Sequence, residues 1–165
     1  MGGKEFEDLY RAQVGQVYGL CLRLTGQPAL AEDCTQECFI KAWRALPSFE
    51  GRSQISTWLH RIAVNTVLGQ RRRRPSDAMR EADALDQTVD EVPSAADAVG
   101  TLDVEDALGR LPPGARDVVV LVGVYGHSHE EAASMLGIAV GTSKAQLHRG
   151  RRLLAQQMGI GMEAA

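Results

Sequence analysis

The sequence predicts an all-α protein built as two small helical domains joined by a flexible acidic linker. Three observations carry this expectation. Apolar residues recur at three-to-four spacing near both ends of the chain, Gly and Pro stand where those runs must stop, and charge falls in a basic, acidic, basic order.

A length of 165 residues allows one domain or two, so the layout has to decide. Hydrophobic content of 44% is ordinary, while 5% aromatic residues leave few large anchors for a wide core, which favours small helical modules over a sandwich. No stretch approaches the roughly 20 apolar residues of a membrane span. The opening MGGKEFEDLY lacks an apolar signal core, so stable membrane insertion is not expected and a cytoplasmic location is. Cys21, Cys34 and Cys38 are an odd number of cysteines and read as reduced thiols.

The net charge of -3 conceals a split. Residues 41–74 hold eight bases against Glu50, residues 75–106 hold ten acids against Arg80, and Lys144 to Arg152 holds four bases and no acid. Two surfaces for a polyanion, separated by a segment that avoids it, fit this order.

The first module is expected over residues 1–74. Phe6, Leu9, Tyr10, Val14, Val17, Cys21 and Leu24 share one helical face, and Gly26 is placed to end that helix. Pro28 opens a second helix running to about Leu46, which buries Leu30, Cys34, Cys38 and Ala42 and turns Asp33, Gln36, Glu37 and Lys41 elsewhere. Pro47 stops it. After the loop SFEGRSQ, a third helix from about Ser56 to Arg73 carries Trp58, Leu59, Ile62, Ala63, Thr66 and Val67, with Trp58 read as core.

Residues 75–100 are rich in Asp, Glu and Ala without sustained periodicity, as a solvated linker would be. The second module is expected over residues 101–165, with a short helix from Leu102 to Leu111 and the turn LPPG. ARDVVVLVGVYG suits a strand or a buried helix, and its helical neighbours favour the helix.

Ser128-His129-Glu130-Glu131 has the capping-box form that starts a helix, and Gly137 can take the left-handed conformation that ends one. A second helix from about Val140 to Gln156 completes a helix-turn-helix, with Leu147 and Leu154 as its buried stripe and Lys144, His148, Arg149 and Arg152 on other faces. A helical bundle also shows charged outer faces, but the charge segregation favours DNA. His127 and His129, flanking the cap serine, read as surface residues.

In this order, AEDCTQECFIKAWRALPSFEGRSQISTWLHRIAVNT, LPPGARDVVVL and HEEAASMLGIAVGTSKAQLHRGRRLL resemble the extracytoplasmic-function class of sigma factors over nearly the whole chain. The resemblance implies a three-helix sigma domain two and a helix-turn-helix sigma domain four. Asp33, Gln36, Glu37 and Trp43 match positions that dock on the clamp helices of the largest subunit of core RNA polymerase. Phe49, Arg52, Ser53 and Asn65, with Arg61 beside Asn65, match the loop and helix that capture an unpaired base of the proximal promoter DNA. Lys144, His148 and Arg149 match positions facing the distal promoter element, Gly141 and Thr142 lie where a helix N-terminus can meet a phosphate, and Arg152 is a further candidate contact. It also implies that the acidic linker threads a polymerase channel and that an anti-sigma factor holds the protein inactive. No catalytic constellation, cofactor or metal site is expected.

The chain departs from the family pattern at Ser143, where a larger apolar residue is usual, at Gln146, where arginine is usual, at Gly150, where alanine is usual, and at Gly69, a commonly acidic position. A helix-interior glycine costs about 1 kcal/mol against alanine, and a serine on a buried stripe is expected to bond back to its own helix. The second helix of the motif therefore reads as marginally ordered. Two other functions fit parts of the sequence: an autonomous helix-turn-helix regulator, and a thiol-based metal or redox sensor using Cys34 and Cys38.

Overall fold

The computed structural model describes residues 2–73 and 103–159, which are helical with no strand among the described residues. The acidic linker expected over residues 75–100 lies outside them. The chain divides into two compact units at Arg73 and Arg74.

In the first unit, α1 spans Gly3–Thr25, α2 spans Pro28–Ala45 and α3 spans Ile55–Arg73, with the single 3-10 turn Leu46–Ser48 after α2. Gly26 takes φ +68° and its amide bonds the Leu22 carbonyl at 2.7 Å, closing α1 as expected; Pro28 then opens α2. Val17, Leu20, Cys21 and Leu24 of α1 meet Ala31, Cys34, Cys38, Phe39 and Ala42 of α2 and Leu59, Ala63, Val64 and Val67 of α3 in one core. Phe6 and Tyr10, expected on the buried face, instead stand at its margin. Tyr10 is 43% exposed and packs edge-on against Phe39 at 4.9 Å, and Phe6 packs edge-on against Trp43 at 5.0 Å.

All three thiols are buried, and Cys38 Sγ donates to the Leu59 carbonyl at 3.7 Å. Burial pushes the Cys21 and Cys38 thiols up to about 12, so neither is a thiolate at neutral pH. Their burial fits small apolar core residues rather than the accessible thiols of a sensor.

In the second unit, α4 spans Val104–Gly109, shorter than the expected Leu102 to Leu111, and starts at Asp103, whose side chain accepts from the Asp106 amide at 2.8 Å. LPPG does not simply break the chain: Pro113 is the first residue of α5, Pro113–Val118. The expected helix through the valine run is helical, but its pitch widens, and Val119–Val124 form a π segment. There the Tyr125 amide bonds the Val120 carbonyl at 3.0 Å, and beyond the segment the His127 amide reaches the Leu121 carbonyl at 3.0 Å. Gly126, at φ +75°, makes that turn possible. The helix-turn-helix follows as α6, His129–Leu136, and α7, Val140–Gln157.

Candidate nucleic-acid interface

Both parts of the Ser128 capping box form: Ser128 Oγ accepts from the Glu131 amide at 3.0 Å, and Glu131 accepts from the Ser128 amide at 3.1 Å. That backbone bond, chief among the causes, holds the Glu131 carboxyl below its ordinary range against the opposing effect of burial. Gly137 ends α6 at φ +69°, its amide on the Ala133 carbonyl, and the turn delivers α7 at once.

The buried side of α7 runs through Ser143, Leu147, Gly150, Leu153 and Gln157. Leu154, expected on this stripe, is only half-buried, and its neighbour Leu153 goes inside instead. At about 100° per residue Leu154 still falls within the stripe, between Ser143 and Leu147, while Leu153 lies at its edge. Gly141, Thr142, Lys144, His148, Arg151 and Arg152 are exposed, whereas Arg149 is half-buried. By the same advance, Lys144, His148 and Arg151 lie on one flank, Thr142 and Arg149 on the other, and Gly141 and Arg152 between them. Arg151 is thus a fourth cation of this surface that the sequence reading counted but did not single out. The α7 N-terminus has no side-chain cap at Ala139, so its first amides are turned toward solvent.

Two expectations about α7 are corrected. Ser143 is completely buried, and its hydroxyl is hydrogen-bonded to His129 Nδ1 of α6 at 2.8 Å rather than back to its own helix. Gly150 is not a gap in the helix: a Cβ added there would run into the Val119 Cγ2 methyl and stand 3.4 Å from the Ala115 carbonyl. His127 is buried at 7% exposure and His129 is half-buried, so neither is the surface residue expected.

In the first unit, Asp33 and Gln36 are exposed on α2 with Trp43, which is 49% exposed, and Ile40, at 52%, falls one turn before Trp43 on the same side. Ile40 escaped the sequence reading because a single apolar residue outside the periodic stripe carries no signal. Glu37 differs from its neighbours. Its carboxylate accepts from Gln70 Nε2 at 3.3 Å and pairs with Lys41 at 3.4 Å and Arg73 at 3.5 Å, while Lys41 also donates to Thr66 at 3.2 Å. Burial works against the carboxylate, yet these partners together hold it below its usual range. Glu37 therefore ties α2 to the end of α3.

Phe49, Arg52 and Ser53 come together with Ser48, Glu50 and Trp58 around an open cavity of about 210 Å³. Trp58 is half-buried on its wall rather than in the core, its ring 5.1 Å from that of Phe49. Arg52 Nε pairs with Glu50 at 2.9 Å. Arg61 and Asn65 are exposed one turn apart on α3 and do not line the cavity.

A separate helical unit followed by a helix-turn-helix whose second helix turns cations outward defines a helix-turn-helix DNA-binding protein. The sigma-70 region 2 family matches residues 9–76, and the sigma-70 region 4 family matches residues 101–154. The chain is 33% identical over 165 residues to the ECF RNA polymerase sigma factor SigW of Bacillus subtilis, covering 93% of this chain and 88% of SigW. It is 36% identical over 157 residues to ECF RNA polymerase sigma factor SigE of Mycolicibacterium smegmatis, covering 90% of this chain and only 60% of that relative. The sigma factor RpoE of Bartonella quintana, solved with the anti-sigma factor NepR, superposes with a TM-score of 0.73 at 29% identity, covering 96% of this chain and 99% of RpoE. The chain belongs to the sigma-70 family, within its ECF class of RNA polymerase sigma factors.

Proposed function

We propose that the protein binds core RNA polymerase and directs promoter-specific initiation, making two DNA contacts that become specific when both units are held on the enzyme. The observation that carries this reading is the division of chemistry between the units: an acid, amide and aromatic face on α2, and a cationic recognition helix in α7. An acidic face beside an exposed tryptophan suits a basic coiled-coil partner, the clamp helices of the largest subunit, and Asp33, Gln36, Ile40 and Trp43 supply it. Glu37 supports that face from behind.

The cavity walled by Phe49 and Trp58 receives an unpaired base of the proximal element, with Arg52 and Ser53 at its rim. Its volume, about 210 Å³, lies below the roughly 300 Å³ at which drug-sized pockets begin and suits one small ring system. Arg61 and Asn65 take the adjoining strand rather than the base itself. On α7, Lys144, His148, Arg149, Arg151 and Arg152 face the distal element, with Gly141 and Thr142 at a phosphate. The protein acts by binding rather than by catalysis, in the cytoplasm with the polymerase. The complex of RpoE with NepR supports an anti-sigma factor as a further partner.

The test is reconstitution with core polymerase from the native host. The chain is expected to co-elute with core and to start transcripts at a limited set of sites on host genomic DNA. An autonomous regulator would instead bind a duplex operator tightly without polymerase, and that result, with no co-elution, would overturn the reading.

A further inference from the structure

The helix-turn-helix buries Ala132, Ala133 and Met135 of α6 and Leu147 of α7, and apolar contacts of this kind have no direction. The bond from His129 Nδ1 to Ser143 Oγ, 2.8 Å long, is different in kind, because a hydrogen bond weakens steeply with distance and misalignment. Ser143 is completely buried and is the fourth residue of α7, between Thr142 and Lys144, which are exposed on the two flanks of the cationic face.

The other end of this bond is firmly founded. His129 begins α6 directly after Ser128, whose amide and hydroxyl are both taken by Glu131. His127 before it is anchored through its amide to the Leu121 carbonyl of the π segment at 3.0 Å, and its ring lies 3.7 Å from the Glu131 carboxylate. A polar strut thus runs from Glu131 through Ser128 and His129 to Ser143 in the first turn of α7, with the His127 ring near its base. A serine hydroxyl donates and accepts, so it pairs with either neutral tautomer of the imidazole.

We propose that His129 and Ser143 are positioning residues for distal-element recognition: their bond sets the pose of the first turn of α7, and with it the aim of Gly141, Thr142 and Lys144. This rests on the promoter-binding reading above. It also gives Ser143 a purpose, since a buried serine without that partner would be a plain defect in the stripe.

The test uses the full chain assembled with core polymerase and a promoter duplex recovered by start-site mapping, with a second duplex whose distal element is scrambled. His129→Leu and Ser143→Ala are each expected to lower discrimination between the two duplexes about fivefold, the worth of one net hydrogen bond. The double variant should lose no more than either single one, because both remove the same bond. His129→Asn, whose amide occupies the place of Nδ1, should recover most of the loss; a purely structural role would give no such rescue at matched melting temperature. Unchanged discrimination in folded His129→Leu, or additive losses, would overturn the proposal. Amide hydrogen exchange on the free chain reads the same strut without polymerase. Faster exchange in the first turn of α7 in His129→Leu supports it, and unchanged exchange contradicts it. If the wild-type holoenzyme fails to discriminate while exchange responds as expected, it is the promoter reading that fails and the strut that stands.

Discussion

Gly150 of α7 lies against Val119, the first residue of the π segment, so closely that the methyl group of an alanine at 150 would occupy the space of the Val119 Cγ2 methyl. Helix propensity alone favours Gly150→Ala by about 1 kcal/mol, whereas overpacking a core costs about 1–3 kcal/mol. The clash should win. Gly150→Ala is expected to lower the denaturant midpoint of the second unit, and Val119→Ala in the same chain to restore part of it. A Gly150→Ala variant more stable than the wild type would show that α7 yields freely here.

Glu37 couples folding to docking, unlike Asp33 and Gln36 beside it. Asp33→Ala and Gln36→Ala should weaken association with core polymerase while leaving the melting temperature near that of the wild type. Trp43→Ala should cost the most association, about 2 kcal/mol, as buried aromatic anchors do, and lower the melting temperature modestly through its lost contact with Phe6. Glu37→Ala should lower both, because it also removes the contacts to Gln70, Lys41 and Arg73. Melting curves beside a titration against core distinguish the two patterns.

The Glu37 and Glu131 carboxyls are both held below 4.5, their unperturbed value. A group whose folded value is depressed contributes stability that is complete above the unfolded value and is lost as pH falls through the folded one. Both units should therefore lose stability as pH drops below about 4.5. Glu37→Gln should flatten that dependence in the first unit and Glu131→Gln in the second. An acid limb unchanged by either substitution would place the titrating groups elsewhere.

These elements differ in how plainly the sequence announces them. Gly26, Pro28, the Ser128 capping box and Gly137 fix helix ends through local chemistry, so α1, α2, α6 and α7 were legible to within a residue or two. The π segment was not, because a run of valines has no period that distinguishes one helical pitch from another. Trp58 looked like core because it lies beside Leu59, yet the loop before α3 leaves its ring on a cavity wall. His129 and Ser143 are 14 residues apart, and nothing in either local pattern shows that they meet. Ser143 and Gly150 therefore read as defects until their partners on α6 and the π segment were in view.

The basic face of α7 should reveal itself through salt. Arg151→Ala and Arg152→Ala are each expected to reduce the slope of log affinity against log salt by about 0.9 if each meets a phosphate. Lys144→Ala and Arg149→Ala should in addition relax sequence preference, and Arg149→Ala should abolish promoter-specific transcription while leaving polymerase association intact. Equal slopes for wild type and Arg152→Ala would remove Arg152 from the interface.

Asn65→Ala and Trp58→Ala should spare closed-complex formation and impair strand opening, read as lower permanganate reactivity of unpaired thymines. Full reactivity in Trp58→Ala would detach the cavity from base capture.

The most direct measurement of the central claim is run-off transcription from a linear template carrying one mapped start site, with core polymerase alone, with core plus this chain, and with core plus the Trp43→Ala chain. The account predicts a discrete transcript only when the wild-type chain is present, and a much weaker one with Trp43→Ala. A transcript of equal strength from core alone, or none with the wild-type chain bound to core, would contradict it.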